Sequence, residues 1–381
     1  MYLFRQNHLL ALLAGYEQSK APIDFYVSSY FRSNKSLGSK DRAYLAETIY
    51  RLIRWRGLID YFISAPATWA KRLEWLESHN PKDFLQNEQI PESSRASFPE
   101  ALYGFFKESL GDKAFSVAVA SNEQAPCCIR VNTLKCTRDQ LCERLTALGL
   151  RVSRGQASET AIYIHDKCNF FVLDPFKEGL FEVQDEASQL VAHMVAARPQ
   201  QSVLDFCAGS AGKTLAFAPL MQKSGQIFLH DIRPHALVEA KKRLKRAGIQ
   251  NAQIVVSTDE KRLKVLKKRM DWVLVDAPCS GTGTLRRNPD MKWKFSEEML
   301  RRLVSEQRVI FKQALSYVKP GGHIVYATCS VLKEENSEQQ AHFLQTYPIE
   351  LASSPFQSFP EAGKMDGFFA VTFRKTANAS N

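Results

Sequence analysis

Asp271-Trp-Val-Leu-Val-Asp-Ala-Pro-Cys-Ser-Gly-Thr-Gly-Thr-Leu-Arg-Arg-Asn-Pro-Asp290 constrains what this chain can fold into more than any other stretch. Trp272 to Val275 is a short apolar run with β-branched residues, the pattern of a strand buried on both faces. Pro278 forbids its continuation as a central strand. The glycine-rich loop that follows lets backbone approach a ligand closely. The carboxylate of Asp276 and the thiol of Cys279 are therefore delivered to the carboxyl end of a strand, where open α/β sheets bind ligands. Alone, an Asp-x-x-Cys sequence is a turn acid beside a buried thiol. The remainder of the chain makes it more than that.

A βαβ rhythm surrounds this stretch. Ser202 to Phe206 reads as strand, Lys213 to Met221 as helix, Gln226 to His230 as strand, and Pro234 to Ala247 as helix with proline in its first turn. Ile254 to Val256 and His323 to Ala327 are further strands, and a helix from Ser296 to Val318 stops at Pro320-Gly-Gly322. Phe368 to Phe373 is expected as a closing antiparallel strand at the sheet edge. The fold class is α/β, with a doubly wound Rossmann-like sheet.

Upstream the pattern changes. Residues 1 to about 76 read as helical, the clearest piece capped by Ser39 with Leu45, Ile49, Leu52 and Ile53 on one face and Gly57 interrupting it. Arg51, Arg54, Trp55 and Arg56 give this all-α bundle a basic, aromatic patch that can touch RNA, although core packing with solvated arginines is the stronger default. Ser78 to Glu100, with Pro81, Pro91 and Pro99, reads as a linker or irregular connection. A helical stretch from Ala101 to Val119 leads into a strand–helix–strand–strand order: Cys128 to Asn132, a helix capped by Thr137 with Leu141, Leu145 and Leu148 on one face, then Arg151 to Arg154 and Ala161 to His165. Small α+β modules of this kind are common in RNA-binding proteins. The expected division is 1–100, helical domain plus linker; 101–178, α+β module; and 179–381, Rossmann-like domain.

At 381 residues the chain exceeds one comfortable core, which agrees with several domains. The net charge of +11 suits a polyanionic partner. No apolar run approaches the ~20 residues that span a bilayer, and Leu9 to Ala14 suits an amphipathic first helix better than a signal segment. The eight cysteines contain no C-x-x-C pair, so neither a metal site nor a disulfide framework is indicated, and a reducing cytoplasmic setting is expected.

Three motifs carry chemistry. Val203-Leu-Asp-Phe-Cys-Ala-Gly-Ser-Ala-Gly-Lys-Thr214 is a strand, a small-residue loop and a helix start, whose backbone N–H groups can cradle a carboxylate or phosphate. Its spacing is neither that of a P-loop nor G-x-G-x-x-G. Asp231, ending the next strand, suits a pair of ribose hydroxyls. Together with Asp276 these fit adenosine plus an amino-acid carboxylate, which is S-adenosylmethionine. The candidate cofactor residues are Cys207, Ala208, Gly209, Ser210, Ala211, Gly212, Lys213, Asp231 and Asp276. Tyr326-Ala-Thr-Cys-Ser330 brings a second thiol, Cys329, to another strand end, where Lys213 and the sulfonium charge can activate it.

Asp276 to Asp290 and Ala327-Thr-Cys-Ser-Val-Leu-Lys-Glu-Glu-Asn336 resemble the paired signature motifs of bacterial RNA cytosine-C5 methyltransferases of the Sun/Fmu type. Phe181-Glu-Val-Gln-Asp-Glu-Ala-Ser188, Arg130-Val-Asn-Thr133 and Asp366-Gly-Phe-Phe369 are similar to that family, and Gly38 to Gly57 resembles the NusB-like helical domain of its 16S rRNA members. One departure stands out. The family has Cys-Ala-(small)-Pro-Gly-Gly-Lys-Thr, whereas here Ser210 replaces the proline and Ala211 a glycine, a strain if φ there is positive.

The resemblance implies methyl transfer from S-adenosylmethionine to C5 of a cytosine in RNA, 16S rRNA in the first place, by a monomer. Catalysis would rest on Cys329 attacking C6, Asp276 binding the N3/N4 edge, and Cys279 assisting release of the enzyme. The resemblance also places a further cofactor acid at Asp259, and Arg286 and Arg287 are candidates for phosphate contacts. The alternatives are the same chemistry on tRNA, or a non-catalytic RNA-binding ribosome-assembly factor that keeps the fold.

Overall fold

Helical periodicity in the first part of the chain produces a bundle in the computed structural model, which describes residues 2–19 and 21–376. Two units are distinguished: the chain up to Gln124 with Ser280–Leu300 and Pro360–Ala362, and Ala125–Cys279 with Arg301–Phe359 and the chain from Gly363. The three segments expected from the sequence are distributed over these two.

In the helical unit, Ser39–Phe62 is one continuous helix that buries Leu45, Ile49, Leu52, Ile53, Leu58 and Ile59. Gly38, not Ser39, is its cap residue, and no side chain caps it. Gly57 does not interrupt the helix. Its missing side chain admits a neighbour, because a Cβ there would come within 3.2 Å of the Ser97 backbone and 3.0 Å of the Trp293 ring. The Gly57 amide donates to Ser97 Oγ at 2.9 Å. The expected linker is packed rather than free: Ile90, Ala96 and Phe98 are buried, and short helical turns form at Pro81–Phe84 and Glu92–Arg95. The stretch after it forms two helices, Glu100–Leu110 and Ala114–Ala120.

Segment Ser280–Leu300 is held inside this unit by buried polar contacts. Trp293 Nε1 donates to the Ile53 carbonyl at 2.8 Å, and Lys292 Nζ donates to the Arg54 carbonyl and to Asn122 Oδ1, each at 2.6 Å. Burial, reinforced by the Arg54 charge, pulls the Lys292 ammonium well below the ordinary lysine value. Arg286 is also buried, donating to the Glu361 carbonyl at 3.0 Å while its own carbonyl accepts from Arg54. It is an internal tie with almost no exposed surface, unlike the solvent-facing arginine that a phosphate contact calls for; Arg287 is half-buried.

The second unit opens with a four-stranded antiparallel sheet: β1 (Cys127–Val131), β2 (Val152–Arg154), β3 (Ala161–Ile164) and β4 (Phe181–Val183), in the order β2-β3-β1-β4. Thr137 and Gln140 form a reciprocal capping box at the start of helix Arg138–Ala147, which buries Leu141 and Leu145. Leu148 lies past the last turn and is exposed, and Gly149 leaves the helix at φ +81.

The large sheet follows: β5 (Ser202–Asp205), β6 (Gln226–Asp231), β7 (Ala252–Val256), β8 (Met270–Asp276), β9 (Val318–Thr328), β10 (Ile349–Leu351), β11 (Phe356–Ser358) and β12 (Phe368–Lys375). Its order is β10-β12-β9-β8-β5-β6-β7, parallel from β7 to β9, with β12 antiparallel to β9. The closing strand is therefore antiparallel as expected but not at the edge, since β10 and β11 pair along its other side. The long helix ends at Leu315 and β9 begins at Val318, with a register irregularity between Met270 and Trp272 of β8 absorbing Lys319 to Gly322. The helix after β5 is α-helical only over Thr214–Phe217 before tightening to 3₁₀.

Gly57→Leu is expected to destabilise the protein by about 2 kcal/mol, overpacking outweighing the gain in helix propensity. Urea denaturation checks it; an unchanged midpoint would show that Ser97 and Trp293 yield.

Candidate active site

The chain runs from β5 outward to β6 and β7, then returns to β8 on the other side of β5. Helices flanking such a reversal diverge, leaving a crevice at the carboxyl ends of the two central strands. The loop after Asp205 and the loop after Asp276 both open there.

A cavity of about 690 Å³ fills this crevice, lined on one side by Asp205 to Ser210, Gly212 and Lys213 and on the other by Asp231, Arg233, Asp276 and Pro278. Its size falls within the ~300–1,000 Å³ typical of cofactor sites. Asp231 Oδ2 accepts from the Gly209 amide at 2.8 Å, and Oδ1 accepts from the Arg233 amide and Nε at 2.8 and 3.0 Å. Burial works against the charge of Asp231, but the Arg233 and Gly209 hydrogen bonds outweigh it and hold the carboxyl below its ordinary value. Asp205 is deeper. Burial pushes it up to about 7, against the pull of the Thr214 hydroxyl at 2.6 Å. Its Oδ1 has no hydrogen-bond partner among the described residues. An orphaned acceptor and a clamped carboxylate on the walls of one cavity fit a ligand bearing both an ammonium group and a ribose diol.

The loop itself is held from outside. Arg130 Nη1 donates to the Gly212 carbonyl at 3.0 Å and also bonds Gln184 Oε1. Burial pulls the Arg130 guanidinium down to about 9, with Glu182 opposing. Ser210, standing where proline was expected, accepts from Arg243 Nη1 through both its hydroxyl and its carbonyl, at 2.8 and 2.9 Å, and Arg243 is in turn paired with Glu182. Ala211 has φ +68. The left-handed conformation costs an alanine roughly 1–2 kcal/mol, partly offset by about 0.8 kcal/mol from its buried methyl group. The methyl is fully buried beside Leu215 and Phe217.

Strand register brings the two thiols together. Asp276 on β8 pairs with Ala327 on β9, so Cys279 and Cys329 follow adjacent strand ends with Sγ atoms 3.4 Å apart. Both remain partly exposed. The hydrogen bond from Cys279 chiefly, with help from the Lys213 charge, holds the Cys329 thiol below its ordinary value against burial and the carboxylates of Asp276 and Glu335. Lys213 Nζ lies 2.5 Å from Asp276 Oδ2 and 5.3 Å from the centre of the Phe368 ring. Its burial disfavours charge, yet the Asp276 carboxylate outweighs that and raises it.

Beneath the sulfurs runs a buried polar brace. Gln307 Nε2 donates to the Pro278 carbonyl and to Glu335 Oε1, each at 3.0 Å. Gln307 Oε1 accepts from Tyr326 Oη and Gln339 Nε2, and Asn336 closes the Cys329 loop through Thr328 and the Ser330 carbonyl. One amide thus ties the loop of one cysteine to the loop of the other.

The structure gathers Cys207, Ala208, Gly209, Ser210, Gly212, Lys213, Asp231 and Asp276 on the cavity wall, with Ala211 behind it in the core. Asp259 is not among those walls; it caps helix Glu260–Leu266 by accepting from the Arg262 amide. Sequence reasoning missed Asp205, Arg233, Arg243 and Gln307. The first sat inside a recognised motif, but nothing in a helix pattern singles out Arg243 or Gln307, which look like any polar residue on a helix.

A sheet of this order, with a small-residue loop, clamped acid and crevice at its switch point, defines an S-adenosylmethionine-dependent methyltransferase. The chain belongs to the RsmB/F family of 16S rRNA methyltransferases: residues 192–374 match its family model, and residues 98–170 match the ferredoxin-like domain of RsmF/B-like methyltransferases. It is 32% identical to ribosomal RNA small subunit methyltransferase B of Proteus mirabilis over 77% of this chain and 69% of that protein. With the probable ribosomal RNA small subunit methyltransferase B of Bacillus subtilis it shares 27% identity over 96% and 97%. The crystal structure of PH0851 superposes with a TM-score of 0.80 at 25% identity, covering 96% of this chain and 97% of that one. NSun6 from Pyrococcus horikoshii, solved with SFG, shares the fold at 19% identity and a TM-score of 0.66, over 74% of this chain and 99% of its own.

Because Cys279 is the main influence lowering Cys329, Cys279→Ala should shift the pH profile of Cys329 alkylation to higher pH and slow the reaction near neutrality. Iodoacetamide labelling followed by peptide mass spectrometry measures this; a profile that does not move would remove Cys279 as the cause.

Proposed function

We propose that this protein transfers a methyl group to C5 of a cytosine in 16S rRNA through a covalent bond between Cys329 and C6 of the base. The observation that carries this reading is the pair of partly open sulfurs 3.4 Å apart, beside a Lys213–Asp276 pair and next to the cofactor crevice. Cytosine C5 is a poor nucleophile. Addition of the Cys329 thiolate to C6 moves electron density onto C5, which can then take up an electrophilic carbon. Bound S-adenosylmethionine supplies that carbon as the methyl group of a sulfonium. Asp276, held by Lys213, meets the N3/N4 edge by accepting from the N4 amino group, and the Lys213 ammonium beside it steadies the negative charge that builds up on the ring. Once Cys329 is bonded to C6, Cys279 gives its proton to solvent and, as a thiolate, receives the C5 proton; the C6–S bond breaks, and Cys329 leaves as a thiolate.

For the cofactor, the loop from Cys207 to Lys213 would cradle the amino-acid end, Asp231 the ribose diol, and the orphaned oxygen of Asp205 the ammonium group. The RNA substrate draws support from the family, from the names of the relatives and from the net charge of +11. The target base must be unstacked to reach the sulfurs. A reducing cytoplasmic setting draws support from the cysteine spacing, which does not suit a disulfide framework. Ala211 at φ +68 favours the second reading, a non-catalytic assembly factor with weakened cofactor binding.

Cys329→Ala should reduce methylation to background, and Cys279→Ala should accumulate a slow-migrating protein–RNA adduct that survives denaturation. Bisulfite mapping of 16S rRNA and tRNA incubated with the wild-type protein distinguishes the substrates. A fully active Cys329→Ala would sink the covalent route, and failure to bind S-adenosylmethionine on direct titration would leave only the scaffold.

A further inference from the structure

The departures at Ser210 and Ala211 are answered by an arginine from another element. Arg243 stands on helix Pro234–Ala247, with its side chain largely buried. One guanidinium nitrogen serves the cofactor loop and the other two serve an anchor. Nη1 donates to the Ser210 hydroxyl and carbonyl at 2.8 and 2.9 Å, while Nη2 and Nε donate to Glu182 Oε2 at 2.9 and 3.2 Å. Glu182, on β4, is almost fully buried, and its other oxygen accepts from Arg246.

What these bonds hold is a single peptide unit. The Ser210 carbonyl and the Ala211 amide share one plane. Arg243 Nη1 holds the carbonyl end at 2.9 Å, and the amide end donates to the Ala208 carbonyl at 2.8 Å. Rotation of this plane sets the φ of Ala211, which lies at +68. Beyond it, the Ala211 carbonyl accepts from the Leu215 amide at 2.9 Å, and Arg130 holds the Gly212 carbonyl at 3.0 Å. Left-handed backbone is disfavoured for an alanine by about fivefold to thirtyfold. Freed at its carbonyl end, the plane can turn over, letting Ala211 leave that conformation and changing the wall that Ser210 gives to the cavity.

We propose that Arg243 is a positioning residue for the cofactor: by fixing the Ser210–Ala211 peptide it keeps the loop in the conformation that receives the amino-acid end of S-adenosylmethionine. Hydrogen bonds do here what the proline and glycine of the family pattern do through covalent geometry. Lysine is no substitute, because a single ammonium lacks the fork that spans Ser210 and Glu182 at once. The apparent affinity for a ligand falls with the fraction of molecules in the competent conformation. Loss of the clamp is therefore read as weaker cofactor binding. The inference rests on the loop's cradling of the cofactor in the reading above, and on nothing about the RNA or the thiols.

Calorimetric titration of the full chain with S-adenosylmethionine, without RNA and well below the unfolding temperature, tests it. Arg243→Ala and Arg243→Lys should each raise Kd about tenfold. Arg243→Lys keeps a cation opposite Glu182, so it serves where Arg243→Ala fails to fold. The deciding arm is Ala211→Gly, because glycine takes positive φ freely. In a chain that already carries Ala211→Gly, adding Arg243→Lys should cost only about threefold or less. A purely structural role for Arg243 would lower the melting temperature equally in both backgrounds and leave the Kd values where they were. Kd within about twofold of the unsubstituted chain for the Arg243 variants overturns the proposal, as does an equal loss with and without Ala211→Gly. In either case the unsubstituted chain still binds, and the methyltransferase reading stands. An unsubstituted chain that binds no S-adenosylmethionine overturns both.

Discussion

The pairing of β8 with β9 is the constraint on which the site depends. With Asp276 opposite Ala327, two loops that each carry a cysteine leave the sheet side by side, 50 residues apart in sequence. A slip of one residue would turn every side chain of β9 to the other face and separate the sulfurs. The register is fixed from below, where Val273, Val275, Ile324 and Tyr326 are fully buried in one core, and from above, where Gln307 bonds both loops at once. The placement of the two thiols is thus a consequence of core packing, and the polar brace sharpens it.

Electrostatics at this site is a matter of competing terms. Burial alone would keep the thiol of Cys329 protonated, Lys213 neutral and Asp231 uncharged. Each is pulled the other way by a specific partner: Cys279, Asp276 and Arg233 respectively. Asp205 keeps the sign that burial dictates, and one of its oxygens has no hydrogen-bond partner among the described residues.

Segment Ser280–Leu300 shows how sequence adjacency and packing diverge. It follows Cys279 directly, yet it belongs to the helical unit, where Lys292, Trp293 and Asp290 hold it. Gly57 exists in a helix because Ser97 and Trp293 press against it. A glycine inside a helical pattern is ordinarily read as a break, and the opposite holds here because a neighbour distant in sequence occupies the space that a side chain would take.

The sequence by itself determined the parallel strands of the large sheet, the strand that delivers Asp276 and Cys279, and the small-residue loop after Asp205, because periodicity, proline placement and local spacing are recorded in adjacent residues. The helix Pro234–Ala247 and the Thr137 cap followed from the same local signals. Only the tertiary structure decided that β12 lies inside the sheet, that Asp259 spends its carboxylate on a helix end, that Arg286 is an internal tie, and that Ala211 sits at φ +68. Each of these depends on partners far away in the chain, and a buried arginine or a capping aspartate is indistinguishable from an exposed one until those partners are in place.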